Sequence, residues 1–456
     1  MSLEIPPIPD GKRKDQYSCL NQEYYYGYLP YSGLPVFSAV QTGIESIISL
    51  SVSIMKKYLL LTPGPVNVAN NVRSAIRSAD ICHREPDFDF LLKGIEDKLL
   101  RLFALETIKG IENDYRAVVI TGSGSAANES MLSSVVGDKN ILVISNGEFG
   151  DRLYATSTIH NKNTFLLKFP WGENLDLGCI ERYLQHQKID VIAMVHHETS
   201  SGRLNPLGEI GALAKANKTI FIVDCVSSAG AEDIDVKKNN IAFFSSSSSK
   251  AIGSYPGLSF VVGKDVEFKK LKHLPAKTSY LNLYTFYGFL KNSMQTPNTP
   301  AVPLFFALNQ ALQNILDEGI TNRYANLKNK ANALRKGMRA MGLTFLIEEK
   351  DMCSILTTVN VPPHINVGVL RERLRSESII IYEGKGCFKN KVFQVASIGE
   401  VSMRDIRRFL LLQKGILNSL SPAMEEHSEG MMKLDLDVAE LLPNSVAPAF
   451  TPQPLQ

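Results

Sequence analysis

Residues 219–224, Thr-Ile-Phe-Ile-Val-Asp, and residues 245–253, Ser-Ser-Ser-Ser-Ser-Lys-Ala-Ile-Gly, are the most informative part of this chain. The first segment is an apolar run that predicts a buried strand ending at Asp224. Lys250 lies 26 residues further along the chain. Alone, each residue has an ordinary explanation, a turn-forming aspartate and a solvated loop lysine, so their meaning depends on what surrounds them.

Together the two side chains suggest one chemistry. A lysine amine can hold an aldehyde as a Schiff base, and a carboxylate at the end of a buried strand can keep a pyridine nitrogen protonated. The pair therefore predicts pyridoxal 5′-phosphate as cofactor, with Lys250 and Asp224 as the catalytic residues.

Composition indicates an ordinary globular protein. The chain has 456 residues, of which 44% are apolar and 21% charged, with a net charge of +3, so no nucleic-acid partner is predicted. The six cysteines show no metal-ligand spacing, which favours reduced thiols in a cytoplasmic enzyme. The N-terminus lacks a signal-peptide layout, and the apolar segment 39–55 is too short and polar for a membrane span, so no membrane partner is predicted; a short amphipathic helix is the simpler interpretation.

Short apolar runs alternate with helical patterns along most of the chain. Helices are predicted at 126–136 and 207–216. The predicted strands are 117–121, 140–145, 191–196, 219–224, 242–246 and 258–262. Because these runs are apolar throughout, they predict an α/β fold with a mainly parallel sheet that has helices on both faces.

Further along, the pattern changes to long helices, and strands predicted at 354–360, 379–382 and 392–397 indicate a smaller C-terminal α+β domain. We therefore divide the chain into an N-terminal extension, a large cofactor-binding domain, a small domain and a disordered tail, at 1–56, 57–315, 316–420 and 421–456.

Candidate site residues follow the predicted strands, where ligands bind in an open parallel sheet. The run Gly122-Ser123-Gly124-Ser125 comes between a strand and a helix, an arrangement that favours a phosphate. His196 and His197 suggest a metal, but adjacent side chains of a strand point to opposite faces and no third ligand is nearby. We therefore predict no metal site.

With these motifs in order, the sequence resembles the class-V pyridoxal-phosphate-dependent aminotransferases. The resemblance covers about residues 57–420 and is strongest to the branch of 2-aminoethylphosphonate–pyruvate transaminases. It implies the fold type I of aspartate aminotransferase, and a homodimer with shared active sites. The motifs are LTPGP, CHREPDF, TGSGSAANES, SNGEFGDR, HHETSSGRLNP, IVDCVSSAG, SSSSSKAIGSYPG, TPNTPAVP and IYEGKG with FQVASIGEV.

The resemblance also implies roles for individual residues. Lys250 would carry the cofactor and then act as general acid and base, while Asp224 would pair with the pyridine nitrogen. Phe149 and Val226 would pack on the two faces of the ring, and Thr199 would lie near its phenolic oxygen. Four further residues would contact the phosphate bound to their own chain, namely Ser123, Gly124, Ser125 and Ser249. Thr299 would contact the phosphate in the neighbouring subunit.

One position departs from the family pattern. Where the phosphonate enzymes carry an arginine that binds the acidic group of the substrate, this chain has Gln394. A neutral amide cannot form the charge-assisted, two-pronged contact of a guanidinium. Arg84 is a candidate replacement and Lys385 another, although either could form a structural ion pair.

Four functions remain open. The first is transamination of 2-aminoethylphosphonate with pyruvate, and the second is the same chemistry on another phosphonate or on an amino acid and 2-oxo acid pair such as alanine–glyoxylate. A nucleotide-binding protein is disfavoured because residues 122–125 match neither nucleotide-binding glycine motif. A non-catalytic relative is disfavoured by the presence of Lys250 and Asp224.

Overall fold

The computed structural model describes residues 57–105 and 114–420. The predictions of an N-terminal extension, of a helix within 39–55 and of a disordered tail from residue 421 lie outside the described residues.

The secondary structure of the described residues alternates strands and helices, as predicted. The strands are β1 Leu59–Leu60, β2 Tyr115–Thr121, β3 Ile141–Ser145, β4 Thr164–Lys168, β5 Val191–Val195, β6 His197–Glu198, β7 Arg203–Leu204, β8 Ile220–Asp224, β9 Ile241–Ser247, β10 Leu258–Lys264, β11 Leu356–Asn360, β12 Ile379–Ile380, β13 Tyr382–Glu383 and β14 Val392–Ala396. The α-helices are α1 Asn70–Ala75, α2 Pro86–Leu102, α3 Gly124–Val135, α4 Glu148–His160, α5 Leu177–His186, α6 Leu207–Ala216, α7 Asp265–Lys270, α8 Leu283–Ser293, α9 Val302–Glu318, α10 Ile320–Ala340, α11 Val367–Ser376 and α12 Met403–Leu420.

The main sheet has the strand order β2-β10-β9-β8-β5-β3-β4. Every neighbouring pair is parallel except the two that involve β10, which is antiparallel to both β2 and β9. The six strands other than β10 therefore end at the same edge, and the segments that follow them meet there. The predicted α/β fold with a mainly parallel sheet is confirmed.

The sequence patterns missed one strand of the main sheet, β4, and merged two strands of the smaller sheets, β12 and β13, into one. β4 lies at the edge and is only half-buried, so it lacks the continuous apolar run that marked its neighbours. The predicted strand 379–382 was wrong as a single element. Its first half, β12, pairs with β1, whereas its second half, β13, pairs with β14 in a three-stranded antiparallel sheet ordered β11-β14-β13.

Two large apolar clusters fill the interior. The first surrounds the main sheet and draws its buried residues from between Val68 and Ile315. The second packs α10, α11 and α12 against the small sheets and also includes Leu61, which follows β1. Across the described residues, no helix is both long and apolar enough to cross a membrane.

Candidate active site

A cavity of about 200 Å³ lies at the edge of the main sheet where its parallel strands end. Segments following β2, β3, β5, β8 and β9 contribute to its lining. Eight residues predicted from the sequence line it, namely Ser123, Gly124, Ser125, Phe149, Asp224, Val226, Ser249 and Lys250. The topology of the sheet therefore brings together residues that are up to 127 positions apart in the chain.

Lys250 is held by a short chain of hydroxyl groups. Its Nζ donates to Ser227 Oγ at 2.8 Å, and Ser227 Oγ lies 2.7 Å from Thr199 Oγ1. Burial lowers the pKa of Lys250 to about 8, although the charge of Asp224 acts in the opposite direction. At this pKa roughly a tenth of the amine is neutral, and nucleophilic, at pH 7, which is far more than for an exposed lysine.

Asp224 is buried and receives hydrogen bonds on both carboxylate oxygens. The backbone N–H of Val226 donates to Oδ1 at 2.8 Å, and Asn128 Nδ2 donates to Oδ2 at 2.6 Å. Asn128 is in turn fixed by a hydrogen bond from Ser245 Oγ. Burial raises the pKa of Asp224, while these two donors and the charge of Lys250 counter that shift.

The loop before α3 offers a cradle for an anion. Ser123 is the N-cap of this helix, and the cavity is bordered by the first residues of the helix, whose backbone N–H groups favour negative charge. A Cβ at Gly124 would lie 2.7 Å from Val226 Cγ1, so only glycine fits the close approach. Ser247 also lines the cavity, with a buried hydroxyl that has no hydrogen-bond partner among the described residues.

These features fit pyridoxal phosphate. The cradle and the unpaired hydroxyl of Ser247 suit its phosphate, the carboxylate of Asp224 suits its pyridine nitrogen, and the amine of Lys250 suits its aldehyde. Lys250 Nζ lies 5.4 Å from the centre of the Phe149 ring, which borders the same cavity.

The position of Phe149 is set by a buried carboxylate from another strand. Glu198 accepts hydrogen bonds from the backbone N–H groups of Phe149 at 3.3 Å and Gly150 at 3.0 Å, in the first turn of α4. Ser200 donates to it through both its hydroxyl and its N–H. A Cβ at Gly147 would lie 2.3 Å from Glu198 Cδ, so the helix can begin this close to the carboxylate only with glycine there. Burial raises the pKa of Glu198 to about 7 despite these donors.

Five residues named from the sequence do not line the cavity of their own chain: Thr199, Thr299, Arg84, Lys385 and Gln394. Thr199 is buried and is connected to the cavity through Ser227. Thr299 is exposed. Arg84 is also exposed and donates to the carbonyl oxygens of Thr296 at 2.7 Å and Pro297 at 3.0 Å, in the segment that leads to Thr299. Gln394 is 4% exposed, and its Nε2 donates to the carbonyls of Thr199 at 2.7 Å and Ser200 at 3.2 Å and to Thr358 Oγ1 at 3.1 Å.

Sequence reasoning missed several lining residues, of which Arg152 matters most. Phe149, Arg152, Leu153 and Thr156 all line the cavity and are spaced as one face of α4. Since the sequence already points to Phe149, helical spacing from that residue leads to Arg152, Leu153 and Thr156. Asn128, Val195, Ser227 and Ser247 carried no comparable signal.

The two histidines point in different directions, as expected for a strand. His197 lines the cavity, whereas His196 does not. Burial lowers the pKa of both to about 3, so both are neutral. Neither ring nitrogen of His197 has a hydrogen-bond partner within the described residues, which contain no cluster of three or more potential ligands that could hold a metal ion.

Comparisons with known proteins agree with this geometry. The family described as aminotransferase class-V matches residues 105–404. An uncharacterized aminotransferase of Methanocaldococcus jannaschii is 31% identical, over 81% of this chain and 95% of that protein. The 2-aminoethylphosphonate–pyruvate transaminase of Klebsiella pneumoniae is 32% identical, over 78% of this chain and 96% of that protein. The crystal structure of alanine–glyoxylate aminotransferase from Nostoc sp. matches with a TM-score of 0.74 and 25% identity, over 80% of this chain and 96% of that one.

Proposed function

Because this chain belongs to the class-V aminotransferases, we propose that it transfers the amino group of 2-aminoethylphosphonate to pyruvate, giving phosphonoacetaldehyde and L-alanine. The family and the fold imply pyridoxal 5′-phosphate as cofactor. The observation that carries the reaction class is that Lys250 and Asp224 face one cavity beside an anion cradle. The choice of donor is supported by several relatives named 2-aminoethylphosphonate–pyruvate transaminase, which are about 30% identical to this chain.

Each residue of the site has a defined task in this proposal. Ser123, Gly124, Ser125 and Ser249 would hold the cofactor phosphate, and the hydroxyl of Ser247, which is unpaired among the described residues, supports the proposal that Ser247 joins them. Asp224 would hold the pyridine nitrogen, Phe149 and Val226 the two faces of the ring, and Thr199 the phenolic oxygen. When bound, the cofactor supplies an electron sink for the electrons released at Cα of the amino donor.

Lys250 would then move the proton. Its amine, held at the cavity by Ser227, would take the proton from Cα of the donor and return it to cofactor carbon C4′. Thr199 supports the same chain of hydroxyl groups through its contact with Ser227. Burial favours this role because it increases the neutral share of the amine, and a protonated lysine cannot act as a base.

We also propose how the chain is organised. The two apolar clusters support a division into a large domain at 57–315 and a small domain at 316–420, with β1 packing on the small one. The exposed position of Thr299 supports a homodimer in which Thr299 reaches the partner's cavity. In the described part of the chain, Cys82, Cys179, Cys225 and Cys353 are free thiols, which favours a cytoplasmic enzyme.

The test uses the purified full chain with pyridoxal phosphate, 2-aminoethylphosphonate and pyruvate. We expect alanine and phosphonoacetaldehyde to form in equal amounts, measured by amino-acid analysis and by phosphorus NMR. The Lys250→Ala variant is the control and should form neither product above background. Absence of alanine from the wild-type reaction would reject this donor and acceptor.

A second candidate is an amino acid and 2-oxo acid pair of the alanine–glyoxylate kind. Two observations favour it. Gln394 stands where the resemblance implies a substrate-binding arginine, and its amide N–H groups donate to Thr199, Ser200 and Thr358. The matched structure from Nostoc is an alanine–glyoxylate aminotransferase. Gln394→Arg tests whether this position sets the substrate. If it does, the ratio of kcat/KM for acidic donors should change by about tenfold or more, as expected when a charge-assisted contact is gained; an unchanged donor profile would count against the position.

A further inference from the structure

Gln394, at the position where the resemblance implies an arginine, offers no cation to the acidic group of the substrate. The amide of Gln394 is occupied by two backbone carbonyls and a threonine hydroxyl, so it is held away from the cavity. Arg84 is held by the segment 295–297 of its own chain. A cation for the acidic group must come from elsewhere.

Arg152 is the one cation besides Lys250 among the described residues that line the cavity. Its guanidinium lies 5.0 Å from the centre of the Phe149 ring, and Lys385 Nζ lies 5.9 Å from the same centre. Lys250 Nζ lies 5.4 Å from it. Three cations thus surround the single ring of Phe149. After burial and Asp224, the charge of Lys385 is the next influence on the pKa of Lys250, and Arg152 also acts on it.

Glu148 connects the two cations that are not committed to the cofactor. Its Oε1 accepts from Arg152 Nη2 at 2.9 Å and lies 3.8 Å from Lys385 Nζ. Glu148 and Arg152 are four residues apart on α4 and therefore share a face of that helix. The other carboxylate oxygen of Glu148 is buried and has no hydrogen-bond partner in the described structure. One carboxylate thus faces two cations.

We propose that Arg152 and Lys385 bind the acidic group of the amino donor, and that Glu148 holds the two cations in place. This inference rests on the proposed aminotransferase function and specifies the substrate class as amines that carry a phosphonate or carboxylate group. The donor nitrogen must come close to Lys250, and Arg152 and Lys385 lie beside the same Phe149 ring as Lys250, so they are within reach of an acidic group two carbon atoms from that nitrogen. Arg152 and Lys385 are half-exposed, which leaves their remaining N–H groups free to receive an anion.

The experiment compares acidic and neutral donors in the holoenzyme. The variants are Arg152→Met and Lys385→Met. The acidic donors are 2-aminoethylphosphonate and 3-aminopropanoate, and the neutral donor is propylamine, which has no acidic group. For Arg152→Met we expect kcat/KM for the acidic donors to fall by about 10- to 100-fold, the range of a hydrogen bond to a charged group, mainly through a higher KM. Turnover of propylamine should change by less than about threefold, and Arg152→Lys should recover part of the loss.

Arg375→Met is the matched control. Arg375 is also an exposed arginine beside a glutamate of its own helix, Glu372 at 3.7 Å, but it lies on α11 outside the cavity. Cofactor content and thermal stability are measured for every variant. Equal losses for acidic and neutral donors in Arg152→Met would overturn the proposal, because they would show that Arg152 positions Phe149 or the cofactor.

A binding measurement separates this inference from the choice of donor. Ethylphosphonate and propionate carry the acidic group but no amine, so they can be titrated into the holoenzyme through the cofactor absorbance. We expect the Kd of at least one of them to rise by about 10-fold or more in Arg152→Met. If 2-aminoethylphosphonate is not a donor but this shift occurs, only the assigned substrate fails. If wild type and variant bind both anions equally weakly, the anion site is rejected.

Discussion

The amine of Lys250 determines how the cofactor is loaded. Because burial lowers its pKa to about 8, the reactive neutral form should grow with pH and become dominant above that value. We expect the rate of pyridoxal phosphate capture by the apo-protein to rise with pH and level off above about pH 8. Stopped-flow absorbance measures this rate, and Lys250→Ala gives the background from surface lysines. A rise that continues to about pH 10, as for an exposed lysine, would contradict the prediction.

The same shift makes the stability of the apo-protein depend on pH. Between the lowered pKa of about 8 and the ordinary value of 10.5, the unfolded chain binds a proton at this lysine that the folded chain does not. The free energy of unfolding should therefore rise with pH across this window. Lys250→Met should remove that dependence and stabilise the apo-protein at pH 7 by about 3 kcal/mol, from about 1.4 kcal/mol per pKa unit, measured by chemical denaturation.

At the scale of single elements, the start of α4 depends on Glu198. Glu198→Ala would leave the N–H groups of Phe149 and Gly150 without their buried acceptor, at a cost of about 1–3 kcal/mol in the free energy of unfolding. Because Phe149 lies in this first turn, we also expect weaker binding of pyridoxal phosphate, measured by equilibrium titration.

A matched cap distinguishes the two effects. Asp176 accepts a hydrogen bond from the N–H of Cys179 at the start of α5, outside the cavity. Asp176→Ala should cost about 1 kcal/mol of stability without changing cofactor affinity. If Glu198→Ala lost stability but bound the cofactor normally, the first turn of α4 would not be what places Phe149.

What the sequence could predict follows from how local each feature is. Asp224 and Lys250 end or follow apolar runs, and the parallel sheet brings such ends to one edge, so their meeting was predictable. Glu198 and Phe149 are 49 residues apart and meet because β3 and β5 are neighbours in the sheet, a pairing that no local pattern specifies. The contacts of Gln394 likewise depend on β14 lying against the loop at Thr199. The sequence alone shows that position 394 carries a neutral amide, but it does not show which groups that amide contacts.

At the scale of the whole molecule, the division of labour between two chains can be tested by mixing defects. Arg84 holds the segment before Thr299 through the carbonyl oxygens of Thr296 and Pro297. The end of this segment, Asn298 and Thr299, is exposed and lies outside the cavity of its own chain. Such an exposed end on a fixed segment suits contact with a second copy. The proposed homodimer therefore predicts that a site takes Lys250 from one chain and Thr299 from the other.

Co-expression of a Lys250→Ala chain with a Thr299→Glu chain gives a mixed dimer that tests whether the site is shared between the chains. If Thr299 serves the partner's site, the mixed dimer has one site with both defects and one site with neither. Since about half of randomly formed dimers are mixed, about a quarter of wild-type activity should return, although each variant alone is inactive. If Thr299 serves its own site, both sites of the mixed dimer are defective and no activity returns. Light scattering of the same samples shows whether the two copies are associated. If the co-expressed chains form dimers but no activity returns, the shared site is rejected.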